Sequence, residues 1–167
     1  MIRPARPGDV PAIHRLIREL ARYERSLEQV TGSAEQLRWS LFGPGPAVFA
    51  HVATGDDGAV AGFALWFLNY STWTGTHGIY LEDLFVEPPQ RGHGHGKALL
   101  AELARICVQR GYQRLEWAVL DWNTPSIGFY TAIGARAMDE WDTYRLSGPA
   151  LAALGSAGTA GTGAAPA

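Results

Sequence analysis

The stretch Arg91-Gly92-His93-Gly94-His95-Gly96-Lys97-Ala98-Leu99-Leu100 decides how the rest of this chain is read. On its N-terminal side lies Ile79 to Glu87, an apolar run that Pro88-Pro89 ends, because two prolines supply no ladder donors. On its C-terminal side Leu99, Leu100, Leu103, Ile106 and Cys107 recur at helical spacing until Gly111, a natural helix stop. The decamer therefore joins a strand to an amphipathic helix predicted over about 96–110.

Three glycines in such a turn let the backbone bend tightly and bring N–H groups close to a ligand. The helix that follows points its unpaired N–H groups and positive dipole end into the same turn, and Arg91 and Lys97 add charge. The segment reads as a phosphate or pyrophosphate nest, with a tight strand-to-helix connection as the plainer reading. It is not a Walker A loop, which needs Gly at 91 and Ser or Thr at 98. It is not a dinucleotide fingerprint, because Lys97 and Leu99 stand where the third glycine belongs. His93 and His95 have no acid or thiolate near them in sequence and read as solvated turn residues rather than metal ligands.

Working outward, Val10, Ile13, Ile17, Leu20 and Ala21 mark a first helix with Asp9 as N-cap, fraying near 23–26. A second begins at Ser33, which with Gln36 has capping-box spacing. Strands are predicted over 47–53 and 60–68 around Gly55-Asp56-Asp57-Gly58, then over 79–87, 114–120 and 137–146. A short helix between the last two runs through Ile133. The order implies one α/β domain over residues 1–147, a mixed and largely antiparallel sheet flanked by helices. Residues 148–167 are Gly, Ala, Thr and Ser with two Pro and two Leu; they predict a fraying edge to Leu154 and a disordered tail beyond.

The whole is 167 residues, 47% hydrophobic and 18% charged, which suits one folded domain. Sixteen acids against fourteen bases, all but Lys97 arginine, argue against a general nucleic-acid binder. A single cysteine, Cys107, excludes an intrachain disulfide and a thiolate zinc cluster. It sits on the apolar face of its helix and reads as a packed thiol. No apolar run approaches the roughly 20 residues of a membrane span, so a cytoplasmic protein is expected.

Two groups of residues suggest chemistry. Glu82 and Asp83 are carboxylates inside the apolar run Ile79-Tyr80-Leu81-Glu82-Asp83-Leu84-Phe85-Val86-Glu87. Strand alternation sends them to opposite faces, so one is expected in a cleft and the other against a structural partner. Asp121-Trp122-Asn123-Thr124-Pro125-Ser126-Ile127-Gly128-Phe129-Tyr130 places Asn123 past a strand, as a helix cap or a polar ligand. It puts Tyr130 on the next helix, as a core residue or a cleft residue. There is no Gly-x-Ser-x-Gly elbow.

These strings, in this order, resemble the GCN5-related N-acetyltransferase (GNAT) superfamily, and within it the diamine (spermidine/spermine) and thialysine N-acetyltransferase branch. The resemblance rests on the Arg91-x-x-Gly94-x-Gly96 turn and on Arg15-Leu16-Ile17-Arg18-Glu19-Leu20-Ala21-Arg22-Tyr23-Glu24 with Glu28-Gln29-Val30. It rests also on Gly62-Phe63-Ala64 through Trp73, on Tyr80 to Val86, and on Trp122 to Tyr130. It covers about residues 2–147.

The resemblance implies an acetyl-CoA-dependent enzyme, usually a homodimer. It implies that main-chain groups from Arg91 through Gly92, His93, Gly94, His95 and Gly96 to Lys97 hold the CoA pyrophosphate. It implies that Phe85 and Val86 pair with the pantetheine arm and that Asn123 contacts the cofactor region. Tyr130 corresponds to the usual acid for the departing thiolate and Glu82 to the group that takes the amine proton, with Asp83 shaping the amine site. Glu28, Glu82 and Asp83 would draw in a cationic amine. Leu27 stands where the mammalian polyamine enzymes carry an acid, which leaves shorter diamines and thialysine or lysine analogues open. Direct transfer in a ternary complex is expected, since no acyl-accepting thiol is evident. Trp39, Tyr23 and Trp66 are candidate apolar walls, and Trp66, Phe67, Tyr70 and Trp73 a candidate subunit interface. The rival readings are a protein or peptide N-acetyltransferase and a non-catalytic acyl-CoA-binding module.

Overall fold

A computed structural model describes residues 1–157. Five strands form one sheet in the order β1-β2-β3-β4-β5: β1 Ile2–Pro4, β2 Phe49–Thr54, β3 Val60–Ser71, β4 Thr76–Val86 and β5 Leu115–Trp117. The first four are antiparallel neighbours; β5 joins β4 in parallel, which requires a crossover, and α3 (His95–Arg110) supplies it. Helices α1 (Val10–Tyr23) and α2 (Ala34–Phe42) lie between β1 and β2 in sequence.

Alternation along the strands builds two apolar layers. Ile13, Leu16 and Leu41 pack with Ala50, Val52, Phe63, Leu65 and Phe85 on one face. Phe63 is fully buried, and taking a side chain of that size out of water contributes about 2–3 kcal/mol. His51, the intervening residue on β2, faces Glu102 of α3 on the other side, where Leu99, Leu103 and Ile106 are also buried. Gly62 is required by a close approach: a Cβ there would stand 2.8 Å from the Phe85 carbonyl oxygen.

The helix signals hold in part. Ser33 and Gln36 make the reciprocal capping box, with Gln36 N–H donating to Ser33 Oγ and Ser33 N–H to Gln36 Oε1. Asp9 begins α1 without capping it by its side chain. Its carboxylate instead accepts from Arg3 at 2.7 and 2.9 Å and from the Arg6 N–H at 2.7 Å, and Arg3 holds it below the usual carboxylate range.

The chain divides into two compact units, residues 1–120 and residues 121 onward. The second contains α4 (Thr124–Ala132) and α5 (Gly148–Ala157). Two expectations fail there. Residues 137–146 form no strand: Met138, Trp141, Tyr144 and Leu146 are exposed, and their spacing gives no period-two face to bury. Gly148–Ala157, read as a fraying edge and the start of a disordered tail, is helical with every residue exposed; alanine and leucine favour that state. The remainder of the expected tail, 158–167, lies outside the described residues. The strand expected over 114–120 contracts to β5, for a reason given below.

Candidate active site

The register of β3 on β4 shifts once. Leu65 lies opposite Asp83 and the next residue, Trp66, opposite Leu81, so Glu82 is an extra residue on β4, a β-bulge. Beyond it the sheet opens. β4 pairs with β5 only at Ile79, Tyr80 and Leu81, opposite Leu115, Glu116 and Trp117. From Asp83 to Val86, β4 keeps its β3 neighbour, but from Glu82 to Val86 it has no registered partner on its other edge among the described residues. Bulges bend the strand that carries them, and this one marks the point where β5 loses its partner and ends. An edge of unpaired peptide groups is a template for any extended chain that carries amides.

The bulge also overturns the alternation argument. Asp83 shares the face of Leu65, and thus of α1, while exposed Glu82 stands close enough for its charge to act on Asp83. Glu24, just past the end of α1, acts on Asp83 as well. Burial, reinforced by those two negative neighbours, pushes the Asp83 carboxyl up to about 7. Burial raises Glu24 too. In sequence, Glu24 is one more charged residue at the end of α1, and only the packing of α1 on β4 brings its charge to bear on Asp83. Tyr80 shares this face, opposite Phe67, and burial with the charges of Glu82 and Glu116 raises its phenol. Glu28 lies on the exposed 3-10 turn Leu27–Gln29 after α1.

Past the open edge comes the glycine turn. Gly92 and Gly94 adopt φ of 82° and 80°, left-handed values that glycine takes without a Cβ penalty. Gly94 caps α3, and the first intrahelical bond runs from Ala98 N–H to its carbonyl at 2.9 Å. The N–H groups of His95, Gly96 and Lys97 are therefore the donors a helix leaves for outside acceptors. The first turn of α3 carries Lys97 and no acid, the wrong charge for a bare helix start and the right one beside a bound anion. Arg91 does not point its charge into the turn alone. Its Nε donates to the Val86 carbonyl at 2.9 Å, and its guanidinium stacks 5.3 Å from the Phe85 ring and 5.5 Å from the Tyr23 ring. It pins the turn to the end of β4. His93 and His95 stand with rings 6.4 Å apart. No group of three or more His, Cys, Asp or Glu among the described residues could hold a metal.

Residues 13–135 match the Acetyltransferase (GNAT) family. This chain belongs to that family. A thialysine N-epsilon-acetyltransferase of Bos taurus is 40% identical over 164 residues, covering 92% of this chain and 96% of that protein. L-ornithine N5-acetyltransferase NATA1 of Arabidopsis thaliana is 33% identical, covering 92% and 86%. Among solved structures, an integron cassette protein from the mobile metagenome of V. cholerae superposes with a TM-score of 0.77 at 28% identity, over 93% of this chain and 96% of that one. The GNAT chain is an N-acetyltransferase with acetyl-CoA as cosubstrate. The residues present suit that molecule: the edge of β4 over 82–85, which no strand pairs on that side among the described residues, for a pantetheine arm, and the glycine turn for a pyrophosphate.

Asn123 and Tyr130 both belong to the second unit. Asn123 is buried and caps α4, its Oδ1 accepting from Ser126 N–H at 3.4 Å. Tyr130, half-buried, lies in the second turn of that helix with its ring 5.3 Å from Phe129. Of the proposed aromatic interface, Trp66 is a correction: it is buried and donates its indole N–H to Nδ1 of His51 at 3.1 Å. Tyr70 and Trp73 are exposed, as is Trp39. Cys107 is buried, and burial raises its thiol. No helix of the described residues is long and apolar enough to cross a membrane.

Proposed function

We propose that this acetyltransferase acts on the primary amine of a small diamine, polyamine or thialysine/lysine-like acceptor, by direct transfer in a ternary complex. The observation that carries the reading is Asp83, half-buried opposite Leu65 on the face that α1 covers, with the charges of Glu82 and Glu24 acting on it and its carboxyl pushed up to about 7. An alkyl ammonium, with a reference pKa near ~10.4, is not a nucleophile until it loses a proton. The three acids draw the cation in, and Asp83 takes one proton while exposed Glu82 passes it to water. The freed nitrogen lone pair forms the new C–N bond at the thioester carbonyl carbon as the C–S bond breaks, and the second proton that the nitrogen then sheds passes through water to replace the one Tyr130 gives up. Tyr130 donates its phenolic proton to the leaving sulfur; with pKa values near ~10 and ~8.5 this is uphill by roughly 2 kcal/mol in water, so the phenol's hydrogen bond to the thiolate counts as much as transfer.

The amide main chain from Glu82 to Val86 and the donors from Gly92 to Lys97 hold the cosubstrate, with Phe85, Val86 and Asn123 beside it. Glu28 adds negative charge at the acceptor entrance. Support for a small acceptor comes from the relatives named for thialysine and L-ornithine, whose matches span most of this chain. A homodimer built through Tyr70 and Trp73, and a cytoplasmic location, complete the proposal. The test is release of free CoA with putrescine, spermidine, thialysine, L-ornithine and L-lysine. Turnover of at least one is expected, and Tyr130→Phe should lower kcat about 100-fold with little change in acetyl-CoA affinity. Silence with all five while a lysine-containing peptide is acetylated would overturn the small-acceptor reading.

A further inference from the structure

On the α1-side face of the sheet, behind the bulge, a second polar cluster crosses three strands. Glu116 of β5 stands opposite Tyr80 of β4, and the charges of both Glu82 and Glu116 act on that phenol. Glu116 is held in place from two sides by one oxygen: Oε2 accepts from Asn69 Nδ2 at 2.6 Å and lies 3.0 Å from Arg114 Nε, while neither contact uses Oε1. Arg114 also donates through NH2 to the Tyr70 carbonyl at 3.2 Å. Gly78 makes room beneath, since a Cβ there would meet Arg114 Cγ at 2.5 Å and Asn69 Oδ1 at 2.6 Å.

The cluster is incomplete by its own members. The Arg114–Glu116 approach is close but poorly aligned, so Arg114 Nε is a buried donor without a hydrogen-bond acceptor, and Asn69 Oδ1 is a buried acceptor without a donor. Both side chains of the ion pair remain more than a third exposed. One strand spacing across and two residues along the strand separate Glu116 from Glu82, roughly 8 Å between Cα atoms. A short aliphatic chain spans that distance.

Charge decides what the far end of that chain carries. Glu116 is neutralised by Arg114, so a second bare ammonium gains little there. A zwitterion, with one anionic and one cationic group, matches a paired guanidinium and carboxylate. We propose that Arg114 and Glu116 form a clamp for the α-amino-acid end of the acceptor, Arg114 taking the α-carboxylate and Glu116 Oε1 the α-ammonium. The clamp rests on the small-amine reading and narrows it, selecting ω-amino acids such as L-lysine or L-ornithine over diamines of equal length.

Steady-state kinetics on Glu116→Gln and Arg114→Gln test it with three acceptors: L-lysine, cadaverine, which lacks the carboxylate, and Nα-acetyl-L-lysine, which lacks the α-ammonium. Each variant is expected to raise the KM for L-lysine about tenfold or more while kcat stays within about twofold. Arg114→Gln should not raise the KM for cadaverine and should lower it if anything, since the variant frees the Glu116 charge, and Glu116→Gln should likewise not raise the KM for Nα-acetyl-L-lysine. Equal losses on all three acceptors, a loss confined to kcat, or an unchanged KM for L-lysine would each overturn the clamp. If the parent protein acetylates none of the three, the small-amine reading fails for them. Calorimetric binding of L-lysine in the presence of CoA then decides the clamp: binding weakened in both variants supports it, and binding unchanged or undetectable in the parent overturns it.

Discussion

Glu82 and Asp83 are consecutive in a β-strand and yet act on one another across the same site, because Glu82 is the bulged residue between the Leu81–Trp66 and Asp83–Leu65 pairs. An unbroken ladder would have turned one of the two carboxylates to the α3 side. Asp83 lies on the α1 side, where the charges of Glu24 and of neighbouring Glu82 both act on it.

The first prediction concerns Asp83. With its carboxyl near 7, the proton-accepting form is depleted as pH falls, so kcat/KM should drop on the acid side of about pH 7. Asp83→Asn should cost roughly 100-fold or more in kcat/KM and remove that acid limb. A pH–rate profile with the same limb in the variant would assign it to another group.

The same carboxyl has a stability consequence of opposite direction. Its folded pKa lies above its ordinary 3.8, so the folded state holds the proton more tightly than the unfolded chain. That contribution is complete below about pH 4 and is lost as pH rises through about 7. Asp83→Asn should therefore raise stability at pH 8 by on the order of a few kcal/mol, read as a higher Tm, and should change it little at pH 4. Thermal denaturation at the two pH values checks both signs.

His51 works the other way. Its Nδ1 accepts the Trp66 indole proton, which a protonated ring cannot do, and burial holds its pKa below the usual 6.5 despite Glu102 at 3.8 Å. The folded state binds the proton more weakly than the unfolded chain, so stability should decline as pH falls below about 6.5. His51→Gln offers an acceptor that does not titrate. Its chemical-denaturation midpoint should vary less between pH 7 and pH 5 than that of the parent; an equal variation would acquit His51.

Gly94 gives a purely conformational test. A Cβ there meets nothing within 4 Å, but φ of 80° is disfavoured for any L side chain. Gly94→Ala should cost about 1–2 kcal/mol of stability and raise the KM for acetyl-CoA several-fold, since the cost falls on the turn that aims the donors. Calorimetry of CoA binding reads the second effect directly, and an unchanged affinity would detach this turn from the cosubstrate.

Much of this protein was legible in one dimension. Strand alternation, Pro88-Pro89, the Ser33/Gln36 box and the glycines at 94 and 111 are local signals, and the elements they mark formed where expected. The glycine turn was legible as a tight connection into a helix for the same reason: three residues of backbone freedom and a helix start are contiguous. What the tertiary structure alone decided is where the register slips. Nothing in Leu81-Glu82-Asp83 announces a bulge, because a bulge is a mismatch in count between two strands and belongs to neither. With that slip come the placement of Asp83 toward Glu24, the early end of β5 and the open edge of β4. The carboxyl pushed up to about 7 is likewise a property of burial among like charges, which residues distant in sequence acquire only on folding.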